Sequence, residues 1–79
     1  MAKRAVLLAE VRGRVLSGEA RRLRLAHRLS LSEVADEVGV STAAVFAWEA
    51  GEYLPRGEHA LAYANLLRDL ARTAHERQA

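Results

Sequence analysis

Three histidines, His27, His59 and His75, and ten carboxylates are the side chains of this 79-residue chain that could hold a metal or move a proton. The histidines share no ligand spacing. No cysteine is present to supply a thiolate, so a zinc site would have to be built from histidine and carboxylate alone. No nucleophile, base and orienting group form a constellation, no glycine-rich phosphate loop is present, and no carboxylate pair is arranged for acid–base work. Neither enzymatic activity, a metal, a cofactor nor a small-molecule ligand is therefore expected. The chemistry left is that of arginine. Residues 1–30 hold eight basic side chains, Lys3, Arg4, Arg12, Arg14, Arg21, Arg22, Arg24 and Arg28, against Glu10 and Glu19, whereas residues 31–79 hold four against eight acids. The net charge of +2 conceals this division, which points to a polyanionic partner, with a solvated basic surface as the plain alternative.

The length fits one domain, at a size where only about 60% of the unfolded surface can be hidden. Without cysteine no disulfide can staple it. No apolar run approaches the roughly 20 residues that span a bilayer, and the first ten residues lack the long apolar stretch of an export signal. A soluble, cytoplasmic protein with no membrane partner is expected.

The elements that must position the arginines are helices. Only one proline is present, and the β-branched residues are scattered instead of alternating. Leu8, Val11 and Val15 stand at helical spacing in a first helix over 2–16, which ends near Ser17-Gly18. A second covers 18–28, with Ala20 and Leu23 inward and arginines around them. Ser30-Leu31-Ser32-Glu33 is a capping box that opens a third helix over 30–38. Val34, Ala35 and Val38 form its inner face, and Gly39 supplies a left-handed stop. Ser41 caps a fourth helix over 41–51, closed by Gly51, with Pro55 opposing any continuation. The last helix, 57–75, carries Leu61, Ala64, Leu67, Leu70 and Ala71, and the tail after Thr73 is expected to fray. The fold class is all-α, a single five-helix domain over 1–79.

Ala35 followed four residues later by Gly39 lets the helices 30–38 and 41–51 approach closely at a steep crossing, the geometry of a helix-turn-helix over 30–51. From about Ala20 to Leu70 the chain resembles the Cro/repressor (XRE) helix-turn-helix family. The resemblance rests on Leu23-Arg24, Leu29-Ser30, Glu33-Val34-Ala35, Val38-Gly39-Val40-Ser41, Val45, Trp48-Glu49, Gly51 and Pro55. It implies a lambda repressor-like domain whose helix 41–50 enters the major groove of a double-stranded operator, as in a small phage or bacterial Cro-type transcriptional regulator. It also implies a partly buried ion pair between Arg24 and Glu49, with a phosphate contact as the alternative for Arg24. Helix 2–16 precedes the family's usual core. The sequence departs from the family at Leu31, where glutamine is common, and at Ala43 and Ala47, where polar residues are common.

Helix 41–50 holds no lysine, arginine, glutamine or asparagine. At about 100° per residue, Val45, Trp48 and Ser41 fall on one side, with Ala43, Ala47 and Ala50 opposite and Phe46 beside them. Alanine there is either simply a good helix former or a slim surface that lets the backbone sink into the groove. On the second reading Thr42, Ala43, Phe46 and Ala47 contact bases, their methyl groups meeting thymine C5-methyls. Phe46 has two readings, a thymine methyl or sugar contact and a cover for the edge of the core. Arg21, Arg22, Arg28 and Arg56, with Ser30, Ser32 and Ser41, are the phosphate-contacting candidates, aided by backbone amides at the start of helix 30–38. Lys3 and Arg4 could form an arm to DNA. Trp48 reads as core, Tyr53 as packed under Pro55 with a phosphate hydrogen bond as the alternative, and Glu33, Asp36 and Glu37 as a solvated face turned from DNA.

Tyr63, Leu66 and Leu70 give the last helix more apolar surface than one face needs. Helix 2–16 is expected to cover most of it, leaving a weak or DNA-assisted homodimer on half-sites about 34 Å apart. The alternative function is a protein-binding module such as an antitoxin-like partner, using the outer face of helix 41–50.

Overall fold

The computed structural model describes the backbone of residues 3–78 and the side chains of residues 3–73. Five helices follow in the order that the apolar spacing predicts: α1 (Lys3–Ser17), α2 (Glu19–Ala26), α3 (Leu31–Val38), α4 (Thr42–Glu49) and α5 (Gly57–Gln78). The expected start at Ala2 and the side chain of His75 lie outside the described residues. The backbone of α5 continues to Gln78, past the predicted end at position 75 and the predicted fraying after Thr73.

Local hydrogen bonding explains most of the boundaries. The Ser30 hydroxyl accepts from the Glu33 amide at 2.9 Å, and the Glu33 carboxylate accepts from the Ser30 amide at 2.8 Å, so two otherwise orphaned donors are satisfied reciprocally. Ser41 caps α4 through the Ala44 amide at 3.1 Å. Between them Gly39 takes a left-handed φ of 85°, and both the Gly39 and Val40 amides donate to the Ala35 carbonyl. Gly51, at φ 77°, ends α4 with its own amide on the Trp48 carbonyl and the Glu52 amide on the Ala47 carbonyl at 3.0 Å. That pair of bonds is a Schellman closure, and it turns the chain back over the end of the helix.

Two ends depart from expectation. Gly18, not Ser17, is the residue preceding α2, and it offers no side-chain cap. The Ser17 hydroxyl accepts from the Glu19 amide instead, and Arg22 Nη1 donates to the Ser17 carbonyl at 3.3 Å, locking the α1–α2 corner. At the other end of α2, Arg28 occupies the left-handed position, φ 57°, where glycine is usual. The Arg28 amide donates to the Leu25 carbonyl and the Leu29 amide to the Arg24 carbonyl, so this closure has the same form as the one at Gly51.

All five helices contribute to one core. Val11 and Val15 of α1, Ala20 and Leu23 of α2, Val34, Ala35 and Val38 of α3, Val45 and Trp48 of α4, and Ala60, Tyr63, Ala64 and Leu67 of α5 are buried together. Each large apolar side chain fully hidden in this way contributes about 1.5–3 kcal/mol relative to exposure. The Trp48 and Tyr63 rings meet at a centroid distance of 4.9 Å, tilted by 32°, which joins α4 directly to α5. The most extensive helix pairing is that of α1 with α5. Within the whole fold Tyr63 and Leu67 are buried and Leu66 and Leu70 partly buried. Arg68 of α5 donates through Nε and Nη2 to the Glu10 carboxylate of α1. That hydrogen-bonded guanidinium holds the Glu10 carboxyl below its usual range.

The basic N-terminus is no free arm. Lys3 and Arg4 are already helical, and the Arg4 guanidinium sits 3.4 Å from the Glu58 carboxylate at the start of α5. Among the described residues no helix is long and apolar enough to cross a membrane.

Candidate nucleic-acid interface

α4 is held from behind and bare in front. Val45, Ala47 and Trp48 are buried, whereas Thr42, Ala43, Phe46 and Ala50 are exposed. On the helical wheel the four exposed residues fall on one arc of about 100°. Three of the four predicted base-contacting residues, Thr42, Ala43 and Phe46, therefore share one outward face, and Phe46 at its centre is 58% exposed. At that exposure Phe46 is not one of the buried core residues.

Ala47 is a correction. It is only 9% exposed, so it is no part of the bare face, although it stands outside the main core cluster. The Glu52 amide donates to the Ala47 carbonyl where the chain turns back over the end of the helix. Ala50 takes its place on the outward face. Tyr53 is a second correction. It is 69% exposed instead of packed under Pro55, because Pro55 itself fills the buried position in that loop.

Glu49, in the last turn of α4, stands where the helix dipole disfavours an acid. Its compensation is Arg24. Arg24 Nε donates to Glu49 Oε2 at 2.6 Å and Nη2 to Oε1 at 2.9 Å, while Nη1 donates to the Leu29 carbonyl at 3.0 Å. Both side chains are largely buried, at 11% and 6% exposure, and the hydrogen bonds to Glu49 hold the Arg24 pKa above its ordinary value. The paired bonds to Glu49 and the third to Leu29 commit Arg24 to fixing α2, the α2–α3 loop and α4 relative to one another, which leaves the alternative phosphate role unsupported.

A shallow groove of about 360 Å³ runs along one edge of α4, lined by Arg21, Arg24, Leu31, Phe46, Glu49 and Ala50. Leu31, where the family often carries glutamine, thus forms apolar wall beside the outward face. Arg56 lines a second groove, formed by Trp48 with Glu52, Tyr53 and Leu54 of the loop after α4. Arg21 and Arg56 are both exposed. Arg28 is exposed at the end of α2, and Ser30, Ser32 and Ser41 are exposed at the first turns of α3 and α4. The Ser30 and Ser41 oxygens accept from amides as caps, and their O–H groups stay available to donate outward. Arg22 is set apart by its bond to the Ser17 carbonyl at the α1–α2 corner.

His27 and His59 serve as ties between segments of the fold. His27 Nε2 lies 2.9 Å from the Leu70 carbonyl oxygen and His59 Nδ1 lies 3.4 Å from that of Val38. Ala50 is absent from the sequence-derived contacts, and Tyr53 enters them only as the alternative to packing. The wheel places Ala50 beside Phe46, and only the course of the chain after Gly51 exposes Tyr53.

A family model for the helix-turn-helix matches residues 21–71, from α2 into α5, with the whole α3–turn–α4 unit inside the match and α1 outside it. No curated relative and no solved structure matches the chain. With most of the chain covered by that model and its two central helices crossing at the Gly39 turn, the protein belongs to the helix-turn-helix family of Cro/repressor type, a family of DNA-binding regulators.

Proposed function

We propose that the protein is a sequence-specific double-stranded DNA-binding transcriptional regulator of the minimal Cro type, acting in the cytoplasm of a bacterium or a phage-infected host. α4 enters the major groove with Thr42, Ala43 and Phe46 toward the bases. Arg21 and Arg56 grip the phosphates on the two sides, with Arg28 and the hydroxyls of Ser30, Ser32 and Ser41 completing the backbone contacts. The observation that carries this reading is the outward face of α4, uncharged and, around Phe46, built of small side chains, with the exposed Arg21 lining the groove beside it and the exposed Arg56 in the loop that follows the helix. Small side chains allow the backbone close approach, and the arginines supply the charge that the helix itself lacks. Pairing of two chains is weak and assisted by DNA, since α1 already covers much of the apolar surface of α5.

Selection of bound sequences from random duplexes, followed by a salt titration of the best one, tests the proposal. The logarithm of affinity should fall with the logarithm of salt at a slope of about −0.9 per phosphate contacted. Ala43→Glu, at an exposed position, should abolish binding while melting stays near normal. No binding at low salt, or a flat titration, would point instead to the protein-binding alternative, in which the exposed Phe46 serves as an anchor.

A further inference from the structure

We propose that the outward face of α4 selects its operator through the 5-methyl groups of pyrimidines. Thymine and 5-methylcytosine would be accepted at the contacted positions, and uracil and unmethylated cytosine discriminated against. This deepens the reading of α4 in the major groove and rests on it.

The argument is one of elimination followed by fit. In the major groove guanine offers two acceptors, adenine an acceptor beside a donor, cytosine a donor, and thymine an acceptor beside a methyl group. Reading guanine bidentately takes arginine or lysine, and reading adenine takes asparagine or glutamine. The exposed arc of α4 is Thr42, Ala43, Phe46 and Ala50, so the Thr42 hydroxyl is its only hydrogen-bonding side-chain group. The acid next to this arc, Glu49, could in principle accept from the cytosine amino group, but Arg24 occupies both of its carboxylate oxygens. Arg24 is in turn bound to Glu49 and to the Leu29 carbonyl. Of the features a base pair presents, the methyl group is the one this surface is made to meet.

The shape agrees. Phe46 is a large apolar side chain 58% exposed on α4, and it lines the groove shared with Leu31 and Ala50. A pyrimidine methyl set against the ring and the alanine methyls exchanges water for apolar contact on both partners. Arg21 on the rim of the same groove supplies a charge for the adjoining phosphate. Phe46 is therefore the specificity-determining residue, and Thr42 adds a hydroxyl that tolerates several bases.

Each methyl group hidden in this way should be worth about fourfold in affinity. The experiment takes the best duplex from random selection and prepares it with thymine, with uracil in place of thymine, with cytosine·guanine at the same positions, and with 5-methylcytosine·guanine there. Affinity is measured for the full chain and for Phe46→Ala at one salt concentration, with circular dichroism to show that the variant is folded. The expected result is a loss of about fourfold per contacted methyl on going from thymine to uracil, a tighter 5-methylcytosine than cytosine duplex, and collapse of both ratios in Phe46→Ala. Equal affinity for the thymine and uracil duplexes, with steep salt dependence retained, would overturn methyl recognition and leave groove binding standing. Absence of salt-dependent duplex binding would overturn groove binding and this inference with it.

Discussion

Arg24 and Glu49, separated by 25 positions in the chain, meet through two parallel hydrogen bonds of 2.6 and 2.9 Å in a largely buried setting, and Arg24 spends its remaining reach on the Leu29 carbonyl. α4 is thereby fixed to α2 by a link with a defined direction, which apolar contact alone would not supply.

Removing one member of that pair strands the other charge. Arg24→Ala or Glu49→Ala should destabilise the fold by about 3–5 kcal/mol in urea denaturation. Replacing both, as Arg24→Met with Glu49→Leu, should recover most of the loss, because an apolar pair of similar volume needs no desolvation of charge. A loss of under about 1 kcal/mol in each single variant would show that the pair behaves as a solvent-exposed bridge.

Tyr63 packs its ring on Trp48, yet its buried hydroxyl has no hydrogen-bond partner among the described residues. An unsatisfied buried polar group costs about 1–3 kcal/mol. Tyr63→Phe, which keeps the ring, should therefore raise stability by about 1 kcal/mol at neutral pH. Burial also pushes the Tyr63 phenol above the ordinary value of 10.0. A group whose folded pKa is raised contributes stability that is complete below the unfolded value and is lost as pH rises past it. The wild-type chain should accordingly lose up to about 1.4 kcal/mol per pH unit above about pH 10 from this residue, and Tyr63→Phe should show a shallower alkaline decline.

Arg28 holds a left-handed backbone conformation, φ 57°, at the end of α2. That conformation costs a residue with a Cβ about 1–2 kcal/mol, while glycine brings an entropic penalty of about 0.5–1 kcal/mol. Arg28→Gly should thus raise stability by about 0.5 kcal/mol, read as a higher Tm, and at the same time weaken duplex binding. Movement of the two in opposite directions is what a strained residue kept for a DNA contact predicts; unchanged affinity would remove Arg28 from the interface.

Arg21 and Arg56, both exposed and proposed as phosphate contacts, should behave alike. Arg21→Ala and Arg56→Ala should each reduce the salt slope by about 0.9 and weaken binding to all duplexes by a similar factor. A loss confined to the selected sequence would assign the affected arginine to a base.

What the sequence discloses here is the local hydrogen bonding. Ser30 with Glu33, Gly39, Ser41 and Gly51 mark their helix ends because each satisfies its backbone partners within five residues, and the apolar spacing identifies Val34, Ala35, Val38, Val45 and Trp48 as core. Ala47 shows where this stops. Helical periodicity groups it with the outward residues, yet it is buried. Arg28 was hidden for a related reason, since nothing in an arginine announces a left-handed turn. The Arg24–Glu49 pair is invisible to any local rule and entered only through resemblance to a family, and the commitment of Arg22 to the α1–α2 corner depends on an angle between helices that spacing cannot express.

The hold on α4 runs through Val45, Ala47, Trp48 and the Glu49 carboxylate, and none of Thr42, Ala43 or Phe46 shares in it. Those outward positions can be rewritten without loosening the body that carries them. A lineage, or a library in the laboratory, could therefore move this protein from one operator to another by exchanging three or four side chains, with the risk of misfolding kept apart from the choice of target.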